Sequence, residues 1–208
     1  FYRKSNIIMA SFKVQVEDLI GNVGDDQLIT DSLLAVGSEI LSKTPLPKLI
    51  NNSQESDITS AGLDISEKII LDVHKLNIKA NRIVINHVAR AKDTSSIYYA
   101  TSNDPVYYIE GEKLYVLADG SLTSGNLISV PVKPTTDGST EIAHGSTATK
   151  FFPVDAERLM VLGAASRCLK RKISTAINDE DVELTQGHLA QSQALEATYE
   201  KELQKYLT

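Results

Sequence analysis

The stretch FFPVDAERLMVLGAASRCLKRKISTAI, residues 151–177, carries the clearest helix signals in the 208-residue chain. Pro153 suits a first helical turn, and Asp155 and Glu157 place negative charge at the positive end of the helix dipole. One face then repeats at steps of three or four residues through Leu159, Leu162, Ser166, Leu169 and Ile173. Small residues at 163–166 keep the helix thin, so that neighbours can approach it closely on two sides. The stretch therefore predicts a central core helix.

Helical patterns also occur at both ends of the chain. A short apolar set at residues 14–20 and a longer repeat at residues 27–43 predict an N-terminal helix hairpin, which Pro45 and Pro47 end. Acidic residues from position 180 onward begin a last amphipathic helix that runs to Leu207.

The middle of the chain changes to the two-residue period of β-strands. Strands are predicted at residues 68–74, 105–110, 113–118 and 127–132, and the second and third of these form a hairpin. Pro131 favours an edge or an end of its strand. Residues 83–88 fit either a strand or a short helix.

Two polar segments flank these strands. Residues 51–61 predict an exposed loop that leads out of the helices. Residues 133–149 are rich in Thr, Gly and Ser with little to bury, and they predict a long, mobile loop.

The predicted fold is therefore α+β and mainly α, with a helical bundle core interrupted by a β-rich insertion. Residues 1–50 form an arm and the helix hairpin, residues 51–150 the insertion with long loops, and residues 151–208 the central and C-terminal helices. Met9 has the position of a natural start, so that residues 1–8 are either an upstream extension or a flexible arm.

The composition argues against a membrane protein, a general nucleic-acid coat and a disulfide-bonded protein. The hydrophobic fraction is 42%, yet no apolar run approaches the roughly 20 residues that span a membrane, so we expect a soluble protein. A net charge of -6 argues against a general nucleic-acid coat, although local basic patches are compatible with it. The single cysteine, Cys168, lies in the core-helix pattern and predicts a buried thiol in a reducing compartment.

The sequence carries no motif for catalysis, a metal or a cofactor. The histidines lack the spacing of metal ligands; they are His74, His87, His144 and His188. Phosphate-binding Gly-rich loops and a GxSxG nucleophile elbow are also missing. We therefore expect no enzyme activity, no cofactor and no metal site.

Two groups of residues on the last two helices are candidates for partner binding. Arg167, Lys170 and Arg171 share one helix face and form a basic patch, which is either solvated or a surface for docking or for DNA. The apolar stripe of the last helix either packs inside its own subunit or docks on a partner; its members are Tyr199, Leu203, Tyr206 and Leu207.

Tyrosines are concentrated in the β region. Such a concentration suits a sheet that covers the core, and it also suits a subunit interface. The residues are Tyr98, Tyr99, Tyr107, Tyr108 and Tyr115.

Three segments of the chain resemble the head-tail connector, or adaptor, proteins of tailed bacteriophages. They are VEDLIGNVGDDQLITDSLLAVGSEILSKTP at 16–45, SSIYYATSNDPVYYIEGEKLYVLADGS at 95–121 and FFPVDAERLMVLGAASRCLKRKIS at 151–174. The resemblance implies a structural protein whose copies form a closed, twelve-fold ring beneath the portal and around the DNA channel. The implied partners are other copies of the chain, the portal protein, and neck or tail proteins.

The resemblance also implies a location at the head-tail junction of the virion, after assembly in the host cytoplasm. DNA would pass through the channel without sequence-specific binding, and an acidic protein suits such a conduit because tight phosphate binding would slow passage. No membrane partner is implied. Alternatives are another tail or baseplate component, or an enzyme with an unrecognised site.

Overall fold

The structure is a computed structural model that describes residues 10–178 and 182–208, with the side chains of residues 10–178 and 185–208. The predicted start at Met9, the arm before it and the acidic residues at 180 and 181 lie outside the described residues. The helices are α1 Phe12–Ile20, α2 Asp26–Lys43, α3 Leu46–Ile50, α4 Val88–Lys92, α5 Val154–Asn178 and α6 Val182–Leu207. The strands are β1 Gln54–Ile58, β2 Leu63–Asp64, β3 Lys68–Lys75, β4 Ile78–Lys79, β5 Asn81–Arg82, β6 Val106–Glu110, β7 Lys113–Ala118, β8 Ser121–Thr123 and β9 Gly125–Pro131.

Contacts divide the chain into two compact units. The helical unit contains the described residues up to Pro45 and those from Lys133 onward, and the β unit is Leu46–Val132. Residues 133–150, which the sequence assigned to the insertion, therefore group with the helices.

The predicted helical bundle core is wrong, although the α+β class holds. The protein is 46% helical and 23% strand, and its helices do not form a bundle core. The strands bury their own cluster of apolar side chains instead of covering a helical core. Within the helical unit, a Cβ on Gly37 of α2 would collide with Pro134, which lies outside any helix. An irregular segment thus occupies a side of α2 where a bundle would place a helix.

The central helix predicted from residues 151–177 is confirmed as α5. Asp155 and Glu157 lie in its first turn, and it packs against α1, α2 and α6. Gly163 accounts for the close approach on two sides, because a Cβ there would lie 2.6 Å from Val36 Cγ1 and 3.1 Å from Tyr199 Cε2. The predicted stripe is buried in full at Leu159, Leu162, Ser166, Leu169 and Ile173.

The segment between the β unit and α5 is anchored, so the expectation that it has little to bury is wrong. Ile142 is 1% exposed and Phe152 is also buried. The backbone amides of Phe12 and Lys13 donate to carbonyl oxygens of this segment at 2.8 Å each. Asp137 folds the segment locally, because its carboxylate accepts backbone hydrogen bonds from the two residues that follow Gly138.

The β unit contains two sheets and a short helix. The first sheet has the order β1-β9-β3-β4, and the second has the order β2-β7-β6-β5 with β8 beside β7. Side chains of both sheets share one core, formed by Ile58, Val73, Ala80, Leu114, Val116 and Leu127. Alternate residues of the second sheet face the other way and pack with α4, in a cluster of Ala91, Ala100, Val106 and Leu117. The unit is therefore layered as sheet, sheet and helix.

All four predicted strands are confirmed. The hairpin is β6 and β7, joined through Gly111 at φ +61, and the strand at residues 68–74 is β3. The strand at residues 127–132 is β9, which lies between β1 and β3. Pro131 therefore marks the end of a strand and not an edge of the sheet. Residues 83–88 form a 3-10 turn at Ile85–His87 followed by the start of α4.

The predicted exposed loop at residues 51–61 is wrong, because it contains β1. Its residues Gln54 to Ile58 pair antiparallel with β9 in regular register. Glu55 and Asp57 are exposed while Ile58 is buried in the shared core. Backbone pairing along the whole strand, together with the burial of Ile58, attaches this polar strand to the sheet.

Candidate functional site

The predicted basic patch on α5 is not a single free surface. Arg167 Nη2 lies 3.0 Å from Glu39 Oε2 on α2. Lys170 Nζ pairs instead with the Glu196 carboxylate on α6. Two of the three cations are thus neutralised within the chain by helices on opposite sides of α5.

Arg171, the third cation, is exposed and has no ion-pair partner among the described residues. It lines a cleft of about 420 Å³ in the helical unit together with Lys172, Asp25 and His188. Most of these polar groups are engaged at helix ends. Lys172 Nζ donates to the carbonyl oxygens of Ile20, at 2.9 Å, and of Gly21.

The cleft therefore holds helix termini together. The Lys172 ammonium lies where the dipole of α1 is negative, and burial lowers the pKa of this lysine. Asp25 caps α2, because its Oδ1 accepts from the Leu28 amide at 3.0 Å. Within the described part of the chain, Nδ1 of His188 is buried without a hydrogen-bond partner. Lys172 and Asp25 therefore stabilise helix ends, whereas Arg171 has no such role among the described residues.

The apolar stripe of α6 contacts its own chain. Tyr199 lies against Gly163 of α5, and Leu203 is 9% exposed. Tyr206 Oη is 3.2 Å from Thr44 Oγ1, while Leu207 is half-buried. Burial raises the pKa of both tyrosines, of which only Tyr206 has a phenolic hydrogen bond. These contacts support the alternative in which the stripe packs inside its own subunit.

The histidines and the cysteine also have local roles. His144 Nε2 lies 3.4 Å from Asp26, and His74 Nε2 lies 3.3 Å from Asp72. Cys168 is buried, and this burial raises the pKa of its thiol. In residues 10–178 and 182–208, no group of three or more His, Cys, Asp or Glu residues is arranged to hold a metal ion.

The tyrosines of the β region divide between core and surface. Tyr108 stacks on Tyr115 across the hairpin, with ring centroids 5.3 Å apart. Tyr98 is 58% exposed and stacks on His87, and its neighbour Ile97 is 92% exposed. Tyr108 and Tyr115 thus contribute to the packing of the hairpin, whereas Tyr98 leaves an aromatic ring on the surface.

The segment from Arg82 to Tyr98 exposes further apolar residues, which the sequence patterns did not predict as a surface. They belong to a set that we call the basic edge: Arg82, Val84, Ile85, Arg90, Lys92, Ile97 and Tyr98, all of which are exposed. Residues 73–92 contain five Lys or Arg and no Asp or Glu, in a chain of net charge -6. A charge count along the sequence would have found this segment.

The outer strand β1 of the first sheet carries carboxylates. Glu55 and Asp57 on β1, which we call the acidic edge, are exposed and have no ion-pair partner among the described residues. The Asn126 amide on β9 donates to Glu55 Oε1 at 2.8 Å and to Asp57 Oδ1 at 3.4 Å. This amide holds the two carboxylates side by side.

Comparison with known proteins adds no family to this description. None of the described helices is both long enough and apolar enough to cross a membrane. No protein-family model matches the sequence, and no curated protein matches it.

Proposed function

We propose that the chain is a structural virion protein, the subunit of an adaptor ring that joins the portal to the neck or tail and surrounds the DNA channel. One observation carries the proposal: the three segments that resemble connector proteins fold as helices in the first and third segments and as a β-hairpin in the second. Residues 16–45 contain the end of α1 and all of α2, residues 95–121 contain the β6–β7 hairpin, and residues 151–174 begin α5. The chain leaves the helical unit after Pro45 and returns to it at Lys133.

The distribution of free surface groups supports an assembly role. On the helical unit, two of the three predicted basic residues are paired internally, and the α6 stripe packs on its own chain. Both units expose large apolar residues, and on the β unit Val84, Ile85, Ile97 and Tyr98 belong to the same surface as Arg82 and Arg90, which are unpaired among the described residues. Exposed apolar groups with a charged rim are typical of protein-protein contacts. The net charge of -6 suits a DNA conduit, because a conduit must not bind phosphate tightly.

Native mass spectrometry of the chain, alone and with the portal protein of the same genome, tests the proposal. We expect a closed multiple of the 22.7 kDa subunit or a complex with the portal. A portal protein from an unrelated phage serves as the control and should not bind. A chain that stays monomeric both alone and with its own portal would contradict the proposal.

A further inference from the structure

The two sheets of the β unit have the same charge order from one edge to the other. In the first sheet β1 and β4 are the outer strands, and in the second sheet β2 and β5 are. The strands at one side carry Glu55, Asp57 and Asp64, whereas those at the other side carry Lys79 and Arg82. Opposite edges of a sheet face in opposite directions, so each sheet has an acidic and a basic end.

The acidic ends of the two sheets are neighbours, and so are the basic ends. A four-residue connection, residues 59–62, joins β1 to β2, and Ala80 alone separates β4 from β5. The Lys79 ammonium is paired with Asp72. Arg82 and Arg90 are exposed and have no ion-pair partner among the described residues. Arg82 lies on the outer strand β5, and Arg90 lies on α4, which covers the outer face of the second sheet. The acidic edge and the basic edge are thus two separate surfaces of opposite charge on one unit.

Apolar groups accompany the charges on both sides. Ile97 and Tyr98 belong to the basic edge, and Ile97 is the most exposed of the large hydrophobic residues that the structure describes. On the acidic side, α3 precedes β1 and packs on β9, and it exposes Leu46 and Ile50. Each surface therefore combines exposed apolar groups with charges, as protein interfaces do. On the acidic side, α3 also carries Lys48, and Lys68 donates to Ser56 of β1.

The charges also exclude the simplest symmetric contact. An edge strand such as β1 presents unpaired backbone groups that can pair with another strand. Two β1 strands placed side by side would bring Glu55 and Asp57 of both copies together, and like charges across a strand pair are destabilising. The same edge attracts a basic surface.

We propose that the acidic edge of one copy binds the basic edge of the next, so that copies of this chain associate head to tail through their β units. Such a contact is heterologous, and it closes into a ring when the rotation between neighbours allows closure. The inference rests on the proposed function for the identity of the binding partner, which is a second copy of the chain. Beyond that function, it assigns the two surfaces that meet.

Charge reversal with mutual rescue tests the contact. The first variant combines Glu55→Lys with Asp57→Lys, and the second combines Arg82→Glu with Arg90→Glu. For each variant alone, the apparent Kd of self-association should rise at least about tenfold, because the two surfaces that meet then carry charges of the same sign. Mixed in equal amounts, the variants should assemble again, because every contact then joins opposite charges. Analytical ultracentrifugation of the full chain measures each case.

Two controls separate charge from folding. Asp18→Lys with Glu200→Lys makes the same change in charge at exposed positions of the helical unit, which carries neither edge, and should assemble like the wild type. Circular dichroism should show a melting temperature within about 2 °C of wild type for every variant, because exposed substitutions cost little. If the first variant unfolds, Glu55→Gln with Asp57→Asn removes the charges at nearly constant size and should weaken assembly in the same direction.

The outcomes separate this inference from the proposed function. Edge variants that assemble like the wild type, or that fail to rescue each other, would overturn the inference and leave the adaptor proposal intact. Loss of binding to duplex DNA by the second variant, with unchanged assembly, would assign the basic edge to nucleic acid and also overturn it. Mutual rescue in a chain that never binds its portal would support the inference against the proposed function. A chain that is monomeric in every mixture would overturn both.

Discussion

Replacement of Gly163 by alanine tests the packing that organises the helical unit. The added Cβ would lie 2.6 Å from Val36 Cγ1 and 3.1 Å from Tyr199 Cε2. A contact of 2.6 Å is too short for two carbon atoms, so α2 or α5 must shift. Val36 is 2% exposed and has no open space to enter.

Two effects of opposite sign determine how much Gly163→Ala changes the free energy of unfolding. Alanine stabilises a helix interior by about 1 kcal/mol relative to glycine. Overpacking of a well-filled core costs about 1–3 kcal/mol, and contacts on two sides of Gly163 place this site in the upper part of that range. We therefore expect Gly163→Ala to destabilise the protein by about 1–2 kcal/mol net, which lowers the melting temperature by about 2–8 °C.

Gly187→Ala on α6 is the matched control. Apart from the adjoining backbone of α6, no atom of the described residues lies within 4 Å of a Cβ at Gly187, so only the gain in helix propensity of about 1 kcal/mol applies there. Thermal unfolding followed by circular dichroism should place the two variants on opposite sides of the wild type. A Gly163→Ala protein that is as stable as Gly187→Ala would refute the close packing at Gly163.

Three further perturbations test the helical unit. Deletion of residues 200–208 should cause a cooperative loss of stability, because it removes buried Leu203; an unchanged melting temperature with loss of portal binding would instead support docking by α6. Iodoacetamide should modify Cys168 only after unfolding, because burial raises the pKa of its thiol, and rapid labelling of the native protein would contradict this. Lys43, through a hydrogen bond, is the main cause of the lowered pKa of Glu39 in the folded state. The ionised carboxylate contributes stability above its unfolded pKa of about 4.3, and this stability is lost as pH falls through the lower pKa of the folded state. The melting temperature of Glu39→Gln should therefore decline less than that of the wild type between about pH 5 and pH 3.

Local sequence patterns correctly predicted the helices and strands whose formation depends mainly on residues within the element. The charges and apolar spacing of α5 are contained within the helix, and the β6–β7 hairpin needs only two short strands and a turn at Gly111. The strand β1 was missed because four of its five residues are polar and its partner β9 is about 70 residues away. A pairing of that separation leaves no local signal.

The same limit applies to the candidate surfaces. The spacing of Arg167 and Lys170 indicated a shared face, yet their partners Glu39 and Glu196 come from other helices. A single apolar residue, Ile142, helps to anchor the segment that composition predicted to be mobile. Burial of one side chain and pairing of distant charges both depend on tertiary contacts, which composition does not contain.

Imaging of the virion by electron cryomicroscopy tests the adaptor proposal most directly. The account predicts density for the helical unit and the β unit of this chain in a closed ring directly beneath the portal, with the acidic edge of each copy next to the basic edge of its neighbour. Density elsewhere in the tail, or virions that lack the chain, would contradict it.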